Sequence, residues 1–207
     1  MHYQYDYDFQ SELVDRTYFR NLLHIRDGAQ VLCVSLSHLP MRWISWKRAA
    51  NYASQNMVKW VIGTEMIEIN SATRPYVVPT IVGIKGTENV AKHCRTIPIT
   101  NANLFRRDGY LCMYCGTEFS HSKLTRDHIK PTCLGGRTTW TNLVCCCVTC
   151  NRKKSGAATP EAAGMKLIAT PYEPNLVESL ILSNRLILSD QLEFLKSRLN
   201  DNSRIKC

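Results

Sequence analysis

Cys112-Met113-Tyr114-Cys115, Asp127-His128-Ile129-Lys130-Pro131, Asn142-Leu143-Val144 and Cys147-Val148-Thr149-Cys150-Asn151 follow one another in that order. Two Cys-x-x-Cys pairs flank an Asp-His pair. Thiolates at this spacing are soft ligands suited to a tetrahedral Zn²⁺. Cys112, Cys115, Cys147 and Cys150 are therefore the expected zinc ligands. Cys147 is preferred to Cys145 or Cys146 because it alone stands at Cys-x-x-Cys spacing from Cys150. Cys33, Cys94, Cys133 and Cys207 read as ordinary thiols. The zinc would supply folding energy to a segment too small to bury much core.

The residues inside this frame suggest chemistry of another kind. Asp127 offers a hard oxygen ligand for Mg²⁺ or Mn²⁺. His128 is a candidate general base on water, its side-chain type titrating near neutral pH. Neighbours on a regular strand face opposite sides, so the two converge only where the strand end bends. Pro131-Thr132 marks irregular backbone nearby. Asn142 is placed to hold the His128 loop by hydrogen bonds. Asn151, directly after a zinc ligand, is placed to offer a carbonyl oxygen to the metal of Asp127. Arg106, Arg107, Lys123, Arg126, Lys130, Arg137, Arg152, Lys153 and Lys154 crowd the same segment. Such residues contact phosphates without reading sequence, and Arg137 and Arg152 are the foremost candidates.

Composition agrees with an anionic partner. The chain has 207 residues, a formal net charge of +9 and a pI near 9.1, a balance that favours nucleic acid. A hydrophobic content of 44% argues against wholesale disorder. Ten cysteines raise the alternative of a disulfide scaffold. The polar, acidic start Met1-His2-Tyr3-Gln4-Tyr5-Asp6 lacks a secretory pattern, so a reducing cytoplasm is expected. No apolar run approaches the length of a membrane span.

Four regions are expected: an extension over 1–30, a small α+β domain over 31–95, the motif-bearing domain over 96–158 and a helical segment over 159–207. Within the extension, Ser11–Ile25 reads as a helix. Val31–Ser37 is a strand by its β-branched run. A helix capped by Ser45 follows. Val58–Ile62 and Met66–Ile69 read as two short strands joined through Gly63-Thr64, and Tyr76–Ile84 as a further apolar stretch. Thr100 or Asn101 caps a short helix ending at Asp108-Gly109. Thr125–Pro131 is one arm of a hairpin, and a helix starts near Cys147. Thr159-Pro160-Glu161 reads as another helix start. Leu176–Leu199 reads as an amphipathic helix, bent near Ser183-Asn184.

Arg107-Asp108-Gly109-Tyr110-Leu111-Cys112-Met113-Tyr114-Cys115-Gly116, Leu124-Thr125-Arg126-Asp127-His128-Ile129, Gly135-Gly136-Arg137-Thr138-Thr139-Trp140-Thr141-Asn142-Leu143-Val144 and Cys147-Val148-Thr149-Cys150-Asn151-Arg152-Lys153-Lys154 together resemble the zinc-knuckle branch of the HNH endonuclease family, in its bacterial or phage form. The resemblance covers roughly residues 100–158. It implies an α+β protein whose ββα-metal module carries a structural zinc. It also implies His128 as general base, Asp127 as metal ligand, Asn142 as the residue positioning the base, and Asn151 as second ligand. Asn at that last position suits Mg²⁺. The activity implied is metal-dependent DNA cleavage, by an endonuclease or nickase, in a bacterial cell or a phage-infected host. Two rival expectations stand beside it. One is a zinc-organised DNA-binding module with a vestigial or partner-dependent site. The other is an interaction protein that pairs with itself or a partner through the N-terminal arm or C-terminal helix.

Overall fold

The computed structural model describes residues 21–24, 29–69, 76–85, 96–155, 157–184 and 186–205. Most of the extension, Cys94 and Cys207 lie outside them, as does most of the helix expected over Ser11–Ile25. The four residues of that stretch that are described, Asn21–His24, form a strand instead (β1). Next come β2 (Gln30–Ser35), β3 (Pro40–Ser45), helix α1 (Trp46–Ser54), β4 (Val58–Ile69) and β5 (Tyr76–Ile84). The five strands make one sheet in the order β1-β4-β5-β2-β3. β1 runs parallel to β4 and β2 parallel to β5, while the other two pairs are antiparallel. The ladder with β4 supplies β1 with backbone partners that an isolated helix end there would lack.

β2 explains the architecture. Val31, Leu32, Cys33 and Val34 are all fully buried. Because strand side chains alternate, both faces of the sheet must be covered. Val31 and Cys33 pack in a cluster with Ala49 and Ala53 of α1. Leu32 and Val34 pack with Trp60, Ile81, Leu180, Phe194 and Leu195. The last three belong to α4 (Leu176–Ser183) and α5 (Ser189–Lys196), which follow α2 (Asn101–Arg107) and α3 (Val148–Lys154) along the chain. The C-terminal segment, expected as a region of its own, thus forms the second covering layer of the N-terminal sheet. The single helix expected over Leu176–Leu199 is two helices, separated between Ser183 and Ser189. Gln191, fully buried, ties α5 to the sheet by donating to the carbonyls of Gln30 (2.8 Å) and Thr80 (2.9 Å).

Two further expectations change. Val58–Ile62 and Met66–Ile69 are one continuous strand, whose register against β5 shifts between Ile62 and Met66. Gly63 sits in this irregularity at φ +105°, backbone open to glycine. Thr159-Pro160-Glu161 starts only a single 3-10 turn over Glu161–Ala163. Ser45 does cap α1, accepting from the Arg48 amide at 3.3 Å.

By its internal contacts the chain divides into two units: one takes in the chain up to Thr96 together with Leu176–Cys207, the other is Ile97–Asn175. The second contains α2 (Asn101–Arg107), β6 (Leu124–His128), β7 (Leu143–Cys147) and α3 (Val148–Lys154). Thr100 caps α2 through its hydroxyl, and β6 and β7 form an antiparallel pair. Among the described residues no helix is long and apolar enough to cross a membrane.

Gly83 lies under Trp60, where an added Cβ would stand 2.2 Å from the indole ring. Gly83→Val is expected to lower the stability of the first unit by about 1–3 kcal/mol, the range of forced overpacking. A urea-unfolding midpoint unchanged from wild type would contradict this packing.

Candidate active site and metal centre

The knuckle is built from local turns. Cys112 donates its amide to Thr117 O (2.9 Å) and accepts from the Gly116 amide (2.8 Å), closing the loop around Cys115. Leu111 and Glu118 bridge its base. Cys147 ends β7 and caps α3, its Sγ accepting from the Cys150 amide at 3.4 Å. The Met113 amide donates to Cys145 O (2.9 Å), lacing the first knuckle to β7. These contacts bring the four Sγ atoms of Cys112, Cys115, Cys147 and Cys150 within 4.8 Å of one another. Tetrahedral zinc, with Zn–S near 2.3 Å, needs sulfurs roughly 3.8 Å apart, so the cluster fits that ion with small adjustment.

Electrostatics point the same way. Burial pushes the thiols of Cys112 and Cys150 up from their ordinary values. Hydrogen bonding to Thr117 brings the exposed Cys115 down to about 7. Without a cation Cys112 and Cys150 resist ionisation, and a divalent ion is what would gather the cluster as thiolates. Cys145 and Cys146 stay outside the cluster on β7, fully buried, with Cys146 raised to about 12 by burial. Cys133 is an exposed thiol that is not one of the four.

Beside the knuckle the hairpin opens on a cleft of about 510 Å³, lined by Arg126, Asp127, His128, Pro131, Thr132, Val148, Asn151, Arg152 and Lys154, among others. Asp127 and His128 both reach it because β6 ends at His128. The Asp127 carboxylate is held from two sides. Tyr114, inside the first knuckle, donates its hydroxyl to Oδ2 at 2.5 Å. Lys154 places its ammonium 3.2 Å from Oδ1 and 3.0 Å from Oδ2, and donates to His128 O at 2.6 Å. Burial and the Asp127 hydrogen bond raise the Tyr114 phenol far above its usual range, so it remains a donor.

His128 Nε2 lies 3.0 Å from Thr138 Oγ1. Asn142 accepts from the Lys130 amide at Oδ1 (2.9 Å), and its Nδ2 donates to the carbonyls of Lys130 (3.1 Å) and Arg137 (2.8 Å). It thereby staples the loop that follows His128. Asn151 Nδ2 donates to Thr125 Oγ1 at 3.1 Å, which leaves its Oδ1 as the end available to a cation. A carboxylate and an amide oxygen on one cleft are ligand types for a hard divalent ion that keeps several waters, and such an ion would have to take the Asp127 carboxylate from the Lys154 ammonium that now pairs with it.

The basic residues divide sharply. Lys123, Arg126, Lys130, Arg137, Arg152 and Lys153 are exposed, and Arg106 is half-buried. Arg107 is not a surface cation. Its Nε and Nη2 donate to the two Asp108 oxygens (2.7 and 3.0 Å), and its other N–H groups go to the carbonyls of Trp140, Tyr172 and Leu143. All five guanidinium donors are used internally, so none remains for a phosphate. Lys154 is also buried, spent on Asp127 and His128 O. Both therefore depart from the phosphate-contact role expected of them. Sequence reasoning missed the contacts that Tyr114, Thr138 and Lys154 make with Asp127 and His128. The one available signal was that Asn151 and Lys154 stand three apart, on one side of a helix.

A β-hairpin and a following helix, with an acid, an imidazole and an amide on one cleft and four thiolates beside it, make up a ββα-metal module. Residues 112–168 match the model of the HNH endonuclease family, a family of nucleases. No curated protein matches the chain.

Purified protein is expected to hold one zinc per chain by atomic emission. Cys115→Ser or Cys150→Ser should lose it and expose 97–175 to protease; full zinc retention in both would rule this cluster out. Arg107→Ala should destabilise the second unit by about 3–5 kcal/mol, because it strands a buried carboxylate and three carbonyls. Unfolding followed by Trp140 fluorescence measures it, and an unaltered midpoint would return Arg107 to the surface.

Proposed function

We propose that the protein is a metal-dependent DNA endonuclease or nickase that hydrolyses a phosphodiester bond. The observation that carries this reading is the shared cleft of Asp127, His128 and Asn151 beside the four-thiolate cluster. The match to a nuclease family supports it.

His128 is the general base. Thr138 holds one ring nitrogen, which orients the ring and leaves Nδ1 to take a proton from water. The resulting hydroxide oxygen bonds to phosphorus in line with the 3′-oxygen, whose P–O bond breaks. The products carry a 5′-phosphate and a 3′-hydroxyl. Asp127 and Asn151 would hold Mg²⁺ or Mn²⁺, which when bound supplies charge neutralisation to the phosphate and the departing oxygen. Tyr114 and Lys154 keep the Asp127 carboxylate in one orientation. Asn142 keeps the His128 loop in place through Lys130 and Arg137. Arg126 and Arg152 on the cleft, with Lys130, Arg137 and Lys153 exposed nearby, attract the phosphate backbone. Each chain brings one such site, so one encounter cuts one strand.

Supercoiled plasmid incubated with the protein in Mg²⁺, Mn²⁺ or EDTA tests the proposal. Metal-dependent nicking is expected, and His128→Ala should slow it by roughly 10²–10⁴-fold, the usual worth of a general base, with zinc content intact. Cleavage at the wild-type rate in that variant would remove His128 from the role. Binding without any cleavage would instead favour a DNA-binding module.

A further inference from the structure

The first unit carries a cationic face that the cleft of the second does not use. From Ala29 to Gly63 the chain has no Asp or Glu but has Arg42, Lys47, Arg48 and Lys59. Three of these four lie on β3 and α1. Arg42 Nη2 and Arg48 Nε both donate to the Tyr52 hydroxyl, at 3.2 and 3.0 Å. Two guanidinium groups thus converge on one neutral oxygen. Neither has a carboxylate partner among the described residues. The Arg48 guanidinium also lies 5.7 Å from the centre of the Tyr52 ring. Both arginines are exposed.

Holding two like charges this close is unfavourable unless an anion joins them. The arrangement is also pre-ordered, so an arriving anion meets guanidinium forks whose rotamers are already restricted. Planar forks match phosphate oxygens in pairs. The neighbouring surface has the character of a groove-facing helix. α1 buries Ala49 and Ala53 against the sheet and exposes Lys47, Arg48, Asn51 and Ser54, with Gln55 exposed at its C-terminal cap. Its first turn holds no acid, so the positive end of the helix dipole adds to the field. Amides and cations on an exposed helix are the groups that meet base edges and phosphates in a duplex.

We infer that the β3–α1 face is a second duplex-DNA-binding surface, with Arg42 and Arg48 as a phosphate clasp and the polar side of α1 towards the groove. This goes beyond the proposed cleavage site and rests on that reading only for the choice of DNA as the polyanion.

The test is fluorescence anisotropy with the full-length, zinc-loaded protein and a labelled DNA duplex in EDTA, so that cleavage plays no part. Arg42→Gln/Arg48→Gln is compared with Lys85→Gln/Lys196→Gln, which removes the same charge from exposed sites elsewhere in this unit. The arginine pair is expected to weaken binding roughly tenfold at physiological salt and to lower the salt slope by about one to two. Arg48→Gln alone should give an intermediate loss. The lysine control should change Kd less than twofold. The inference is overturned by wild-type protein that does not bind the duplex, by an arginine variant with unchanged Kd and slope, or by an equal loss in the control. Arginine-dependent binding to single-stranded RNA and not to the duplex would overturn it as well. Arginine-dependent duplex binding by a protein that cuts no plasmid would uphold this surface and leave the nuclease reading to fail separately.

Discussion

Four sulfurs meeting at one point set the geometry of the second unit. Cys112 and Cys115 belong to a turn between α2 and the hairpin, whereas Cys147 and Cys150 belong to the end of β7 and the start of α3. A shared ion would turn these remote pieces into one frame. Tyr114 stands between the first two ligands and reaches Asp127. Asn151 directly follows the last ligand, and Lys154 lies one helical turn further on. The acid and the amide of the cleft are therefore each tied to the sulfur cluster by a single side chain or a single peptide. Loss of the frame would leave the cleft residues present but unaligned, which is how a structural metal contributes to chemistry it does not touch.

Polar groups carry much of the remaining order in this unit. Arg107 uses its whole guanidinium on Asp108 and three carbonyls, while Asp108 also accepts from the Cys145 amide at 2.7 Å. The pair thus joins the end of α2 to β7. A fully buried ion pair of this kind contributes more to a defined arrangement than to net stability, because desolvation offsets most of the attraction. Asn142 does similar work in the loop after β6, with its amide satisfied on both ends.

Much of this was legible in the residues. Metal-ligand spacing is a local property, so Cys-x-x-Cys pairs and the Asp-His neighbours could be read directly. The caps at Ser45 and Thr100 and the helix start near Cys147 were visible for the same reason. What could not be read depended on partners distant in sequence. Nothing local distinguishes Arg107 from the half-buried Arg106, or Lys154 from the exposed Lys153; burial decides each pair. Likewise the run Val31–Val34 announced a strand, but not that its two faces would be covered from opposite ends of the chain. The bend expected near Ser183-Asn184 falls where α4 ends, but Leu and Ile continue at helical spacing across it, so the residues read as one bent helix and not as two.

That two-sided burial has a bearing on how the chain matures during synthesis. Leu32, Val34, Trp60 and Ile81 emerge early from the ribosome, yet Leu180, Phe194 and Leu195, which cover them, are made only after the whole of Ile97–Asn175. The intervening unit, Ile97–Asn175, has its own internal contacts and its own four candidate metal ligands, so it can close first. Until the last helices arrive, the sheet keeps one apolar face uncovered, and the nascent protein presents that face to chaperones for as long as the metal module takes to be translated.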